Sequence, residues 1–164
     1  MRVIIVVGSM NALTTQVDII KLMSVLDNFH DTILHRIIIL NTEFVDHNGH
    51  THLDSSGFTF DALFLFQKYK NYVIEILFEK VIKFNLRPSE PNYSSQFLSA
   101  RMRIKDGIIF LAMDVNESLD ENWVPDNSVF ELTWIAANKA YWRFANDDLG
   151  SHISPPFQRR LEEY

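Results

Sequence analysis

The stretch from residue 106 to residue 141 constrains the fold of this chain more than any other part of the sequence. It begins with a nearly continuous apolar run over residues 107–113, the pattern of a strand covered on both faces in a parallel sheet. Asp114 ends the run, an acidic loop follows, and a predicted helix then carries Glu131 in its first turn. In open α/β sheets ligands bind at the carboxyl ends of the strands, so a site is expected at this loop.

Other apolar runs extend this pattern along the chain. Strands are predicted near residues 2–7, 36–41, 107–113 and 140–144. Helices are predicted over residues 15–26, 58–84 and 94–104, and again after residue 128. Strands that alternate with helices, joined by right-handed crossovers, predict a three-layer, doubly wound α/β domain, flavodoxin- or Rossmann-like, with a mainly parallel sheet. With 164 residues, the chain is expected to form one domain.

The segment 58–84 contains no Gly and no Pro, and its apolar residues recur at helical spacing. A helix of that length would extend about 40 Å and would carry apolar residues on two sides. One small domain cannot bury both sides, so the sequence predicts a homo-oligomer. A break near Lys70 and Asn71 is the alternative.

The segment FELTWIA at residues 130–136, which follows an apolar strand and an Asp-bearing loop, resembles the helix start of the nucleoside 2-deoxyribosyltransferase family. It is similar also to the related 2′-deoxynucleoside 5′-phosphate N-hydrolases. The match covers roughly a quarter of the chain. Thr133, Trp134 and Ile135 replace the glycine, tyrosine and alanine of the family pattern.

The resemblance implies an enzyme that cleaves the N-glycosidic bond of a 2′-deoxynucleoside or its 5′-monophosphate. Glu131 would be the nucleophile, and the deoxyribosyl group would pass to another base or to water. The resemblance implies oligomers whose neighbouring subunits complete each site, and we expect no cofactor.

Such a reaction needs a second carboxylate or another proton donor near the nucleophile. Asp126 and Asp114, on the adjacent loop and strand end, are the candidates. The family's base-handling aspartate has no counterpart in the predicted helix at 94–104.

Substrate-binding candidates lie at two predicted turns. Gly8 and Ser9 follow the first strand, where backbone N–H groups can hold a phosphate or a hydroxyl group. Asn127 or Ser128 can cap the helix that carries the nucleophile and bind a 5′-hydroxyl or 5′-phosphate. Trp134 can stack on a base, or it can belong to the core.

A histidine-rich loop offers a competing interpretation. His47, His50, His52 and Asp54 form a pattern close to the ligand signatures of metallo-β-lactamase-like hydrolases and amidohydrolases. Ser55 stands where the last histidine of the first signature belongs. The favoured prediction is therefore a solvated turn without a bound metal, and a metallohydrolase is the less favoured alternative.

Composition narrows the class of protein. The net charge of −6 argues against a nucleic-acid surface, which requires clustered cations. Six apolar residues before Gly8 are too few for a signal peptide or a membrane span. The absence of cysteine fits a cytoplasmic protein, which is the expected location.

A different functional class also stays open. The altered residues after Glu131 and the missing helix aspartate favour a catalytically silent α/β module that binds a nucleotide or a protein partner. Release of free base from deoxynucleosides or deoxynucleotides would separate the enzyme from the silent module.

Overall fold

Between residues 10 and 145 about a third of the residues are β-branched or aromatic, and these residue types favour strands. The fold was obtained as a computed structural model, which describes residues 10–41, 43–45, 48–52, 60–68, 72–87, 96–115 and 132–145. In this part of the chain there are one α-helix, α1 (Gln16–Val25), and ten strands. The strands are β1 (Asn11–Leu13), β2 (Thr32–Asn41), β3 (Phe44–Val45), β4 (Thr51–His52), β5 (Phe60–Lys68), β6 (Tyr72–Asn85), β7 (Gln96–Phe97), β8 (Ala100–Lys105), β9 (Ile108–Met113) and β10 (Thr133–Ala145).

Eight strands form one sheet with the order β7-β2-β5-β6-β10-β9-β8, and β1 is the eighth. Every recorded pairing is antiparallel. The long strand β10 pairs with β6 on one side, and on the other side with β9 near its start and β1 near its end. β3 and β4 form a separate two-stranded ribbon.

The predicted doubly wound α/β fold is wrong, because the described sheet is antiparallel and α1 is the single α-helix found there. The segment 58–84, predicted as one long helix, forms most of the β5–β6 hairpin. The segment 94–104, also predicted as a helix, contributes to the strands β7 and β8. A further helix was predicted after residue 128, but from residue 133 onward the chain forms the strand β10. The Rossmann-like assignment is therefore also wrong, because it required these helices and a parallel sheet.

The physical reason for the error is burial on both faces of the sheet. Residues 62–66 and 74–78 are all buried, so neither strand alternates between apolar and polar residues. A continuous apolar run fits a buried strand and a buried helix equally well by periodicity. The aromatic and β-branched composition of the segment, rather than its spacing, indicated strands. The homo-oligomer was predicted from a helix with two apolar sides, and the described residues of segment 58–84 form strands instead. Oligomerisation stays a prediction.

Several local predictions agree with the structure. Residues 36–41 lie in β2, residues 108–113 form β9, and residues 140–144 lie in β10, although their pairing is antiparallel. The strand predicted at residues 2–7 lies outside the described residues.

The predicted helix at residues 15–26 is confirmed as α1. Thr15 and Asp18 form a capping box, in which the Asp18 N–H donates to Thr15 Oγ1 and the Thr15 N–H donates to the Asp18 carboxylate at 2.9 Å. Hydrogen bonds from the Thr15 hydroxyl and from the Thr15 and Thr14 backbone hold the pKa of Asp18 below its ordinary value.

The main core lies between α1 and one face of the sheet. Phenylalanine rings contact one another within it: Phe64 makes edge-to-face contacts with Phe78 at 5.3 Å and with Phe84 at 5.6 Å between ring centroids. Two smaller clusters lie on other parts of the sheet, one around Leu65 and one around Trp134. Phe29, Phe64, Phe66 and Phe78 are all buried in this core.

A local irregularity interrupts β6 and β10 at the same level. Phe78 and Val81 both belong to the main core, although strict alternation would place them on opposite faces. Lys80, between them, has a φ of 55°, and its N–H donates to Asp61 Oδ1 at 2.8 Å. The carboxylate of Asp61 thus satisfies a backbone donor at the irregularity.

Among the helical residues described, no segment is both long enough and apolar enough to cross a bilayer.

Candidate binding groove

The structure describes two of the predicted site residues, Asp114 and Trp134. The remaining six lie outside the described residues: Gly8, Ser9, Asp126, Asn127, Ser128 and Glu131. The predicted catalytic pair of Glu131 with either aspartate is therefore not tested by the geometry.

Asp114 lies at the end of β9, where its φ of 57° turns the chain. Its N–H donates to the Ser99 carbonyl oxygen at 2.9 Å, and its Oδ1 accepts from the Leu98 N–H at 3.4 Å. Partial burial of the carboxyl raises its pKa, and the hydrogen bond from Leu98 opposes that shift. These contacts tie the end of β9 to the residues before β8, which is the role of a strand-end cap.

Trp134 is a core residue, with 5% of its surface exposed. It lies in β10 and packs with Ala112, Val115 and Ala136. The helix predicted after residue 128 does not carry Trp134, because residues 133–145 form a strand.

The histidine-rich loop is described only in part. His50 is exposed and His52 lies in β4, whereas His47 and Asp54 lie outside the described residues. No three His, Cys, Asp or Glu side chains in the described part of the chain are placed to share a metal ion. Metal independence stays a prediction.

The described residues do form a groove, with a volume of about 650 Å³, between α1 and β8. We call it the α1–β8 groove. Its walls are formed by α1, by the turn after α1, by β8 and by Phe110 of β9. The residues that line the groove include Gln16, Ile20, Asp27, Asn28, Arg101 and Arg103.

One wall of the groove is β8, which is the last strand in the order of the main sheet among the described strands. β8 pairs with β9 over all six of its residues, and β9 lies between β8 and β10. The Ile104 N–H, on the outer edge of β8, donates to Gln16 Oε1 at 3.0 Å. Unprotected edge strands are prone to pair with other chains, and here a side chain of α1 occupies one edge donor.

The opposite wall is unusually apolar on its solvent side. Val17, Ile20 and Val25 of α1 are 58%, 59% and 55% exposed, while Ile19 and Leu22 are fully buried. A surface helix normally carries polar residues on the face away from the core. Ile20 differs from Val17 and Val25 because it also lines the groove.

The turn after α1 has a rare backbone conformation. Asp27, Asn28 and Phe29 have φ values of 49°, 50° and 61°, three successive residues in the left-handed region. Asp and Asn tolerate this conformation, but a phenylalanine there is exceptional, and the cost for an ordinary residue is roughly 1–2 kcal/mol. The strain must be offset by contacts elsewhere.

Two buried side chains provide those contacts. Phe29 is fully buried, and its ring meets Phe66 edge to face at 5.0 Å. Lys68 is 9% exposed, and its Nζ donates to the Leu26 carbonyl oxygen at 2.7 Å. The same Nζ lies 3.9 Å from an Asp27 carboxylate oxygen. The turn is therefore fixed to β5, and it holds Asp27 at the end of the α1–β8 groove.

Two local sequence patterns indicated parts of the α1–β8 groove. An Asp-Asn pair directly after a helix is a common composition for residues with positive φ, and Arg101 and Arg103 alternate with apolar residues as in a strand. The adjacency of the two segments held no such signal, because α1 and β8 are far apart in the chain.

A search against protein-family models gives no match, and searches of curated proteins and of solved structures give none either.

Proposed function

We propose that this protein is a binding module for another protein, and that the α1–β8 groove is its binding surface. The observation that carries the proposal is the strained turn Asp27–Phe29 at the end of the groove. Strained backbone persists only where surrounding contacts hold it, and it concentrates at functional sites.

The lining of the groove supports binding rather than catalysis. Asp27 is the single carboxylate among the described lining residues, and no histidine is among them. Glycoside cleavage of the ordinary kind uses two carboxylates. The lining offers instead an exposed isoleucine, two arginines and a strand edge, which are the components of a peptide-binding surface.

A random peptide library displayed on phage, selected against the immobilised protein, tests the proposal. The binding of each selected peptide is then measured by fluorescence anisotropy with wild type and two variants. Ile20→Ser removes an apolar side chain that lines the groove. Val17→Ser is the matched control, because Val17 lies on the same helix with nearly the same exposure, 58% against 59%, and outside the lining.

We expect the first variant to lose at least about tenfold in affinity and the control to keep the wild-type value, since the buried part of an isoleucine contributes roughly 1.5–3 kcal/mol. Repeated selections that yield no specific peptide would reject the proposal. Selected peptides that bind both variants as tightly as wild type would reject the groove as the site.

Cleavage of an N-glycosidic bond by Glu131 stays a separate prediction from sequence. It has lost two supports, the parallel sheet and the helix predicted after residue 128, since a strand begins at Thr133. Its direct test is chromatography of free bases after incubation with deoxynucleosides and their 5′-monophosphates, with and without an acceptor base. Base release that disappears in Glu131→Ala would establish an enzyme, and no release from any substrate would leave the binding module as the better account.

A further inference from the structure

We propose that the ligand of the α1–β8 groove is an extended segment of a partner protein in which acidic and apolar residues alternate, and that it adds to β8 as a new edge strand. This inference rests on the proposed function and names the chemistry of the partner. It follows from the backbone of β8, the cations beside it and the apolar wall of α1.

The hydrogen bond between Gln16 and Ile104 shows which way the backbone donors of β8 point. Because the Ile104 N–H points away from β9, antiparallel geometry points the N–H groups of Met102 and Ala100, two and four residues earlier, in the same direction. The amide oxygen of Gln16 occupies one position that a carbonyl oxygen of an added strand would take. Gln16 thus accepts one of the backbone hydrogen bonds that an added strand would accept.

The residues that alternate with these outward donors are positively charged. Arg101, Arg103 and Lys105 alternate along β8 and share one face of the sheet. An added strand would present its own alternate side chains on that face, at about the same spacing of 6–7 Å. Because the whole chain has a net charge of −6, this row of three cations is a local exception and selects carboxylates.

Both arginines already interact within the chain. Each guanidinium has five N–H donors, so an arginine with one partner can also receive a ligand carboxylate. Asp27, at the end of the groove, has the Lys68 ammonium group 3.9 Å away, which reduces the repulsion that an acidic ligand would meet.

The other face of the added strand would meet apolar side chains. Met102 and Ile104 point to the side of the sheet on which α1 packs. The alternate residues of the ligand would point to the same side, toward Ile20, which is 59% exposed. These positions favour valine or isoleucine, which suit a strand and an apolar wall. The predicted ligand pattern is therefore a carboxylate on one side and a β-branched residue on the other, repeated with a period of two.

The test uses a synthetic peptide of alternating glutamate and valine, about eight residues long to cover β8. A matched peptide of alternating lysine and valine is the charge control. Two further glutamate–valine peptides carry N-methyl groups on every second backbone amide, in one register or the other. Binding is measured by isothermal titration calorimetry to wild type and to the double variant Arg101→Gln/Arg103→Gln.

We expect the glutamate–valine peptide to bind wild type and the double variant to bind it at least about tenfold more weakly. The lysine–valine peptide should not bind. One N-methylated peptide should lose binding and the other should keep it, because only one set of amides faces β8. Binding should also slow the exchange of the Met102 amide hydrogen.

Failure of this inference is distinguishable from failure of the proposed function. If library-selected peptides need Ile20 but the glutamate–valine peptide does not bind, or if both N-methylated peptides bind alike, the acidic added strand is rejected and the binding module stands. Equal binding of the lysine–valine peptide rejects the charge argument. If neither selected nor designed peptides bind, both proposals fall.

Discussion

Arg143→Leu should destabilise the protein far more than Lys139→Leu, although both changes remove a cation of β10 that faces a glutamate of β6. The register pairs Arg143 with Glu75 and Lys139 with Glu79. Arg143 Nε lies 2.5 Å from Glu75 Oε2, whereas Lys139 Nζ lies 3.9 Å from Glu79 Oε2. The glutamate side chains are 3% and 23% exposed, respectively.

The magnitude follows from the water that reaches each pair. Removing one partner of a fully buried ion pair costs about 3–5 kcal/mol, because the other charge is left without compensation. The Arg143 side chain is 32% exposed, so water can reach the vacated position and we expect about 2–3 kcal/mol. The Lys139 side chain is 55% exposed, and an exposed pair contributes roughly 0–1 kcal/mol.

Urea unfolding followed by circular dichroism measures both values, with equal m-values as the check that the denatured states are comparable. The double variant Glu75→Leu/Arg143→Leu is the internal control, because it removes both charges and should recover much of the stability lost in Arg143→Leu. The reasoning is refuted if Arg143→Leu costs no more than Lys139→Leu. It is refuted equally if the double variant is as unstable as the single variant.

Three further changes test other parts of the structure. Asn28→Val should lower the free energy of unfolding by about 1–2 kcal/mol, because a β-branched residue resists positive φ, and Asn28→Gly should cause no loss; urea titrations that rank the two variants in reverse would contradict the left-handed turn. Asp61→Ala should cost about 1–3 kcal/mol by leaving the Lys80 N–H without its acceptor, and Asp61→Asn, which keeps an acceptor, should cost clearly less in the same assay. Asp114→Asn should stabilise the protein at neutral pH and have almost no effect on stability in strong acid. Folding raises the pKa of the Asp114 carboxyl, so the ionised carboxyl destabilises the folded state. This destabilisation is absent below the ordinary pKa of an aspartate and develops as the pH rises through the pKa of the folded state. Thermal unfolding from acid to neutral pH checks this, and an equal difference in melting temperature at every pH would contradict it.

Local interactions determined the elements that sequence reasoning placed correctly. α1 follows from Thr15 and Asp18, three residues apart, which satisfy each other's backbone groups whatever the remaining chain does. The strand assignment of β9 follows from a run of apolar residues too short for most helices.

Tertiary structure decided between helix and strand in the segment 58–84. Phe64 and Phe66 are buried on one face of β5, and Leu63 and Leu65 are buried on the other, so the run has no polar face to reveal its period. The same residues would suit a helix buried on two sides. The pairing of β5 with β2 on one side and with β6 on the other fixed the outcome.

The α1–β8 groove depends in the same way on distant contacts. Gln16 and Ile104 are 88 residues apart, and Glu75 and Arg143 are 68 residues apart. An exposed isoleucine on a helix and two arginines on a strand are each an ordinary surface feature when taken separately. They form one surface because the antiparallel sheet places β8 at its edge beside α1, and hydrogen bonding between strands, unlike the capping of a helix, is specified by residues far apart in the chain.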